Sequence, residues 1–460
     1  MRFYYALPLA VLLAYGLYET MRSISPYQLR EKPGRKAVPV FLAVLLWVAL
    51  SGIGGLAWQN RWDHMFRNAL FQDLVAYPWP VKNFEWAEPR TLTYYIGFWL
   101  PGAVVGKLFG LQMGYWFQFI YGVLGVSIAL LLLFERLGKV SFLITLLFFF
   151  FSGLDIIPYL QNAILRGDTA ATILRSLLLG RHLELSIHTF NSSSNTTLLF
   201  WLYNQIIPFW VGFLLLWRLK SNSSLLFTFS LLLLFAPFPA LALVPVLAVR
   251  GFRNAGWDFQ RIPQSIREVF RSLGTVGNGA GFILTGILGF FYLTNRAVNR
   301  TQLLPFSAQN MGDFFLFLFV EFLVFMPFLW KRTKRDIDFW VLFLTMGMGS
   351  FVVLGNDYDF AWRTCIPFAF YLLLLMMEEV REMDKKSLKY KLLVAVLLLG
   401  AITPTMEMLR SGEQTARVIV GRSRESLLSG GLESVFHENG CYDNFIGSED
   451  TFFFQVLGKE

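Results

Sequence analysis

Charged residues are scarce in this chain: Asp, Glu, Lys and Arg make up 15% of its 460 residues, whereas hydrophobic residues make up 55%. The mean hydropathy is +0.51. This composition excludes an ordinary soluble globular protein and predicts an all-α polytopic membrane protein, with the lipid bilayer as its surroundings. The net charge of +9 is carried in short loops, where it follows the positive-inside pattern. We therefore expect no nucleic-acid partner.

Cysteine is almost absent, with Cys365 and Cys441 the two in the chain. Two cysteines are too few for a disulfide framework, and neither belongs to a CxxC or Cys/His cluster. A single bridge between them stays open. We also expect no cleavable leader, because the apolar run at residues 3–18 lacks a basic start and a small-residue cleavage site. We expect this run to be a retained helix.

Apolar runs of spanning length recur along the chain. They lie at residues 3–20, 38–57, 113–134, 140–158, 198–217, 277–295, 312–330, 338–355, 364–377 and 391–405. Residues 223–249 contain Pro237 and Pro239 and predict two short helices that meet at a proline corner. Residues 92–110, interrupted by glycines and Pro101, span or re-enter; the loop charges favour a non-spanning segment. We expect about twelve transmembrane helices, with juxtamembrane or re-entrant helices at the outer face.

The same charge pattern divides the loops between two faces. Basic loops gather on one side, which we interpret as cytoplasmic. The opposite face receives a first outer loop (58–112), a second outer loop (155–197), the turn at 355–363 and a small extracytoplasmic tail (406–460). Residues 1–405 would form one transmembrane domain, and both chain ends would lie outside.

Polar and charged side chains concentrate in those outer segments. The candidate functional residues are Asp63, His64, Arg67, Asp73, Lys107, Asp155, His182, Glu184, Asn195, Asn204, Gln205, Asp357, Asp359 and Arg363. On a helix, Asp63 and Arg67 share one face, and Asp73 lies about 60° from Asp63. Carboxylates can act as general base or bind a divalent cation, while arginine can clamp phosphate. The alternative interpretation is that these are solvated loop residues without a functional role.

Two further groups allow more than one interpretation. His182, Glu184 and His188 lack a tight zinc-ligand spacing, which favours polar substrate contacts over metal. Glu321 lies within an apolar run, where an ionisable group is functional or forms a hydrogen bond between helices.

A helix followed by a long outer loop with an early acid, the stretches PWP and YYIGFWLP, and a second acid ending a later helix resemble the GT-C superfamily. These are integral-membrane glycosyltransferases that use polyprenyl-phosphate-linked sugars. WDHMFRNALFQDLVAYPWPV, SSNTTLLFWLYNQIIP and GNDYDFAWRTCIP are also similar to stretches in uncharacterised bacterial members. The chain departs from the pattern by an extra helix before the usual first one and by Asp63-His64 in place of a pair of acids.

The resemblance implies catalytic roles for Asp63, as general base or ligand of a divalent cation (Mg or Mn), and for Asp155, which supports it or shares the metal. It implies that Arg363, with Arg67, His182 or Lys107, holds the departing lipid-linked phosphate. Sugar recognition would draw on several aromatic and amide side chains: Trp58, Trp62, Trp79, Trp86, Asn195, Asn204 and Gln205.

The same resemblance implies transfer to a cell-envelope glycan, lipid or protein acceptor. The enzyme would be a multi-pass protein of the plasma (inner) membrane with its active site on the extracytoplasmic face. The rival hypotheses are a transporter or flippase of lipid-linked glycans, and a glycan polymerase or ligase. The latter would share nearly every feature named here.

Overall fold

A computed structural model describes residues 2–24, 34–57, 61–82, 90–178, 182–187, 189–295, 301–354, 358–421, 430–439 and 444–458. This part of the chain is mostly helical, in agreement with the predicted all-α membrane protein. The helices are α1 (Phe3–Ser23), α2 (Ala37–Leu50), α3 (Arg61–Ala76), α4 (Leu100–Phe109), α5 (Leu111–Leu137), α6 (Phe142–Phe150), α7 (Ile156–Leu165), α8 (Ala170–Leu178), α9 (Asn195–Arg218), α10 (Leu225–Phe235), α11 (Pro237–Asn254), α12 (Ile262–Leu273), α13 (Val276–Tyr292), α14 (Ala308–Glu321), α15 (Met326–Thr333), α16 (Ile337–Gly349), α17 (Asp359–Glu382), α18 (Leu388–Gly400), α19 (Ile402–Ile419) and α20 (Leu432–Asn439).

Five helical segments of the described chain are long and apolar enough to cross a membrane. They are α5, α9, α14 joined to α15, α17, and α18 joined to α19. A sixth is added if α12 and α13, bent by 86° at their junction, count as one span. The expected twelve spans are therefore not confirmed. Most of the remaining apolar runs fold into helices of 9 to 14 residues, such as α2, α6, α10 and α16, which are too short to span alone.

Two of the predicted spans are broken, and their breaks meet. The helix α6 ends at Phe150, and the chain runs without helix through Ser152 and Gly153 before α7. The helix α14 ends at Glu321. The N–H of Leu154 donates to the carbonyl of Val320 at 2.9 Å, so the end of α14 supplies a backbone partner for the break after α6.

Two other expectations agree with the structure. The helices α10 and α11 are separated by Ala236, directly before Pro237, where a proline corner was predicted. Residues 92–110 contain α4, which has ten residues and is too short to cross a bilayer. This agrees with a non-spanning segment.

The helix α9 packs against α5, α6, α10 and α19. Trp210, on α9, stacks with Trp47 of α2 at 5.8 Å between ring centroids, and Trp47 stacks with Phe149 of α6 at 3.9 Å. The indole N–H of Trp47 donates to the hydroxyl of Thr196 at 3.0 Å. This aromatic core and the hydrogen bond to Thr196 fix α9 against α2 and α6 at its first turn and beyond its middle.

The first outer loop and the C-terminal tail form one unit. Strand β1 (Arg90–Leu92) pairs antiparallel with β4 (Ile446–Ser448), with Leu92 opposite Ile446. A second, separate sheet consists of β2 (Thr301–Leu303) paired antiparallel with β3 (Val352–Leu354). The ring of Phe66 on α3 stacks with Phe445 at 5.3 Å. The predicted start of the tail at residue 406 falls inside α19, which continues to Ile419.

Asp73 ties the tail to α3. Its Oδ2 accepts the N–H of Leu432, in the first turn of α20, at 3.0 Å. Burial raises the pKa of Asp73 to about 6; the hydrogen bond from Leu432 opposes this, and Glu433 adds to it. The contacts of Asp73 are therefore those of a helix cap and not those predicted for a substrate ligand.

The docking of α20 should weaken as the pH rises. Because the pKa of Asp73 is higher in the folded chain, its contribution to docking is complete below 3.8 and is lost as the pH passes about 6. Asp73→Asn keeps the acceptor oxygen and should abolish this pH dependence, whereas Asp73→Ala should destabilise α20 by about 1 kcal/mol.

Amide hydrogen exchange in residues 432–439 between pH 5 and 8, corrected for the intrinsic rate, measures this docking. Asp168→Asn, which removes a partly exposed acid paired with Arg166, serves as the control. Exchange in the unmodified chain that shows no pH dependence would contradict the role of Asp73.

Candidate functional site

Asp63 and Arg67 lie one turn apart on α3, as predicted. Oδ1 of Asp63 is 3.4 Å from Nη2 of Arg67, the contact that an i, i+4 spacing produces. The Arg67 side chain is 3% exposed and that of Asp63 is 34% exposed. Burial raises the pKa of Asp63, although Arg67 opposes the shift. Asp63 is thus a stronger base than a solvated carboxylate and still has an open side.

A second pair of this kind comes from the start of α17. Oδ2 of Asp359 lies 2.8 Å from Nη1 of Arg363, again at i, i+4. The Arg363 side chain is buried and that of Asp359 is partly exposed. The charges of both residues influence Asp63. Two elements about 300 residues apart in the chain therefore bring two acids and two arginines to one site.

Tyr94 and Tyr95 interact electrostatically with the arginines of both pairs. Their ring centroids are 3.7 Å apart, and Tyr94 is influenced by both Arg67 and Arg363. Burial raises the pKa of each tyrosine, so both remain protonated phenols that can donate a hydrogen bond. Tyr94 and Tyr95 are not among the predicted site residues. Two adjacent tyrosines before a glycine-interrupted helix were the sequence signal that could have indicated them.

Several buried polar atoms near these residues have no protein partner among the residues that the structure describes. They are Nε and Nη1 of Arg67, Nε of Arg363, Nδ1 of His64, and both side-chain polar atoms of Asn204 and of Gln205. A buried N–H without an acceptor is costly. Phosphate oxygens are the natural partners of guanidinium groups. The site is therefore suited to an anionic ligand.

His64 is held neutral beside Arg67. Its Nε2–H donates to the carbonyl of Phe200 at 2.5 Å, because a carbonyl can only accept, and this leaves Nδ1 as a free acceptor. Burial, with Arg67, lowers the pKa of His64 to about 3. His64 can accept a hydrogen bond from a ligand hydroxyl but does not supply charge.

His182 is a third basic residue whose charge influences Asp63. Its Nδ1–H donates to Oε1 of Glu407 at 2.7 Å, and its ring stacks on Trp201 at 4.9 Å. Burial is the largest influence on the pKa of His182 and lowers it, but the charge and hydrogen bond of Glu407, together with the charge of Glu184, give a net upward shift. Glu407 was missed from sequence, because its only signal was an acid shortly after an apolar run.

Asp155, predicted to share the chemistry of Asp63, has other partners. Its Oδ2 accepts hydrogen bonds from Ser152 at 3.2 Å and from Thr403 at 2.9 Å. Its carboxyl group is also hydrogen-bonded to that of Glu321. Glu321 therefore forms the hydrogen bond between helices that was one of its two interpretations.

These contacts do not fit the predicted divalent cation. In the part of the chain that the structure describes, no group of three Asp, Glu, His or Cys residues is arranged to hold a metal ion. Asp63 faces Arg67, which competes with a cation for the same carboxylate, and Asp155 faces a second carboxyl group. The donor set offers too few oxygen ligands for Mg²⁺.

Three further candidates have structural contacts. Glu184 accepts hydrogen bonds at the N-terminus of α9, and burial raises its pKa to about 7. Asn195 donates to the carbonyl of Phe148 at 2.9 Å. Lys107 donates to the carbonyl of Tyr77 at 2.6 Å, just after α3. These groups satisfy backbone atoms and brace the site.

Some predicted residues fall outside the described part of the chain. They are Trp58, Trp86, His188, Asp357 and Cys441, with the side chain of Trp62. Of the remaining residues in those predictions, Trp79 lies beside Lys107, whose Nζ is 5.5 Å from the ring centroid, and Cys365 is a buried thiol.

No family model, no curated protein and no solved structure matches this chain. We call the site formed by Asp63, Arg67, Asp359, Arg363 and His182 the outer site. Its geometry is the basis on which a function can be proposed.

A lipid phosphate should bind through the two arginines of the outer site. We expect farnesyl phosphate to bind the purified protein in detergent, and Arg67→Met or Arg363→Met to weaken binding roughly tenfold to a hundredfold, because each removes about 1.5–3 kcal/mol of charged hydrogen bonding. Isothermal titration calorimetry measures the affinity.

Farnesol, which has the same chain without the phosphate, is the matched ligand control. Arg335→Met, an exposed arginine before α16, is the matched protein control and should bind like the unmodified chain. Equal affinity for farnesol and farnesyl phosphate would refute an anion site.

Proposed function

We propose that the protein is a membrane glycosyltransferase of GT-C type. It transfers a sugar from a polyprenyl-phosphate-linked donor to a cell-envelope glycan, lipid or protein acceptor on the outer face of the plasma membrane. The five apolar segments of spanning length are compatible with a lipid-embedded donor, and the predicted sidedness puts the outer site at the extracytoplasmic surface.

One observation carries the proposal: beside the carboxylate of Asp63, buried guanidinium nitrogens of Arg67 and Arg363 lack partners among the described residues. Nη2 of Arg67 faces Asp63, while Nε and Nη1 remain for a ligand. A base next to an anion site is what an inverting transfer from a glycosyl phosphate needs.

The proposed reaction uses these groups in one displacement. Asp63 accepts the proton of an acceptor hydroxyl as that oxygen forms a bond to the anomeric carbon. The bond from the anomeric carbon to the phosphate oxygen breaks, and its electron pair leaves with the lipid phosphate. Arg67, Arg363 and His182 stabilise the charge on that phosphate. The ionised form of Asp63 is required, so the rate should rise with pH through its raised pKa.

A transporter of lipid-linked glycans is the second candidate, because two helices break at one level and enclose the pair Asp155 and Glu321. Discontinuous helices with buried ionisable groups are typical of transporters. A glycan polymerase or ligase would use the same lipid-linked substrates. A requirement for Asp63 would favour the transferase over a polymerase or ligase whose mechanism depends on arginine and histidine alone.

Asp63→Asn should slow sugar transfer about 10²- to 10⁴-fold, because it removes the base while keeping the size of the side chain. The measurement is loss of labelled sugar from a panel of polyprenyl-phosphate-linked donors in detergent, which detects transfer and hydrolysis alike. EDTA should leave the rate unchanged. Asp168→Asn, in the second outer loop, is the control and should behave like the unmodified chain.

Transfer that persists in folded Asp63→Asn would overturn the assignment of the base. Inhibition by EDTA that Mg²⁺ or Mn²⁺ restores would show a metal requirement that the described donor set does not explain. Labelled lipid that crosses the bilayer of vesicles without loss of its sugar would replace the transferase with the transporter.

A further inference from the structure

Glu407 is a buried acid whose two oxygens are engaged from three directions. Oε1 accepts the Nδ1–H of His182 at 2.7 Å, and Oε2 accepts the indole N–H of Trp201 at 3.0 Å. Arg410, one turn further along α19, also donates to Oε2. The side chain of Glu407 is 2% exposed. A buried carboxylate bound by three donors is fixed in position.

The ring of His182 is held on two sides by this arrangement. It lies nearly parallel to Trp201, at an interplanar angle of 7°, and Arg410 lies over the same indole at 5.4 Å. Because Nδ1 is bound to Glu407, the nitrogen that remains for a ligand is Nε2. Such an arrangement of carboxylate and imidazole fixes both the tautomer and the orientation of the ring.

Charged groups from four parts of the chain surround His182. Glu407 and Arg410 come from α19, Glu184 from the segment of His182 itself, Asp155 from the start of α7, and Asp63 from α3. The acids outnumber Arg410. The surroundings therefore favour the imidazolium form, and the direct contact with Glu407 is the strongest single reason.

We propose that Glu407 is a positioning residue that holds His182 as an imidazolium, with Nε2 presented to the phosphate of the lipid-linked donor. The role rests on the proposed function, because it supplies the third cation of the outer site. Glu407 itself would not touch the substrate. Trp201 and Arg410 would keep its carboxylate in place.

Titration of the histidines, followed by NMR, measures the pH at which His182 loses its proton, and it needs no sugar donor. With the chain labelled at its four histidines and the His182 signal assigned from His182→Asn, the midpoint for His182 should fall by about one to two pH units in Glu407→Gln. Glu413→Gln, which removes a paired acid two turns along α19, should leave it unchanged. Glu184→Gln separates the titration of Glu184 from that of His182.

Donor consumption as a function of pH tests the consequence. At pH 8, Glu407→Gln should be roughly tenfold or more slower than the unmodified chain, and the difference should shrink as the pH falls to the His182 midpoint measured in that variant, because His182 is then protonated without Glu407. The defect should lie mainly in KM. Glu407→Asp should restore part of the activity at pH 8. A role limited to folding would give a defect that acid does not relieve.

The two proposals fail in different ways. An unchanged His182 midpoint in folded Glu407→Gln overturns the role of Glu407, whether or not sugar is transferred. A lowered midpoint with no donor consumed by the unmodified chain supports the positioning of His182 and overturns the transferase. A lowered midpoint with equal rates at pH 8 overturns the contact between His182 and the donor phosphate.

Discussion

The burial of Arg67 is the constraint on which the arrangement of α3, the C-terminal tail and the start of α17 depends. A guanidinium group that is 3% exposed costs several kcal/mol unless charge and hydrogen bonds compensate it. Asp63 supplies one counter-charge, and the tail shields the other face of α3 through Phe445 and β4. Two nitrogens of Arg67 nevertheless have no partner in the part of the chain that the structure describes. The described protein groups therefore compensate only part of the cost of burying Arg67, and an anionic ligand would supply the missing hydrogen-bond acceptors.

Local spacing was enough to predict part of this site. The i, i+4 relation of Asp63 and Arg67 can be read directly from the sequence, and the same relation joins Asp359 and Arg363. The meeting of the two pairs could not be predicted, since it depends on how α3 and α17 pack. Hydropathy also failed where helices break: Ser152 and Gly153 lie in an apolar run, but the backbone partner of that break comes from α14.

Polar loop residues proved a mixed guide to function. Asp73, Lys107 and Asn195 looked like ligands from sequence, yet each satisfies a backbone N–H or carbonyl. Every helix end and irregular segment needs such partners, so acids and amides at these positions are not by themselves evidence of a substrate. Glu407 escaped notice for the opposite reason: its partner His182 is 225 residues away, and no local pattern marks the contact.

The hydrogen-bond partners of buried polar groups also distinguish a transferase from a transporter. The carboxyl groups at the two helix breaks contact each other, and Asp155 also binds the hydroxyls of Ser152 and Thr403. That cluster is satisfied by its own members and shows no demand for a ligand. At the outer site, Arg67 and Arg363 remain unsatisfied beside a base. Unpaired buried donors are costly. A ligand would therefore be needed at the outer site, where acceptor and lipid phosphate would meet in a transferase, and not at the helix breaks, where a transporter would bind its substrate.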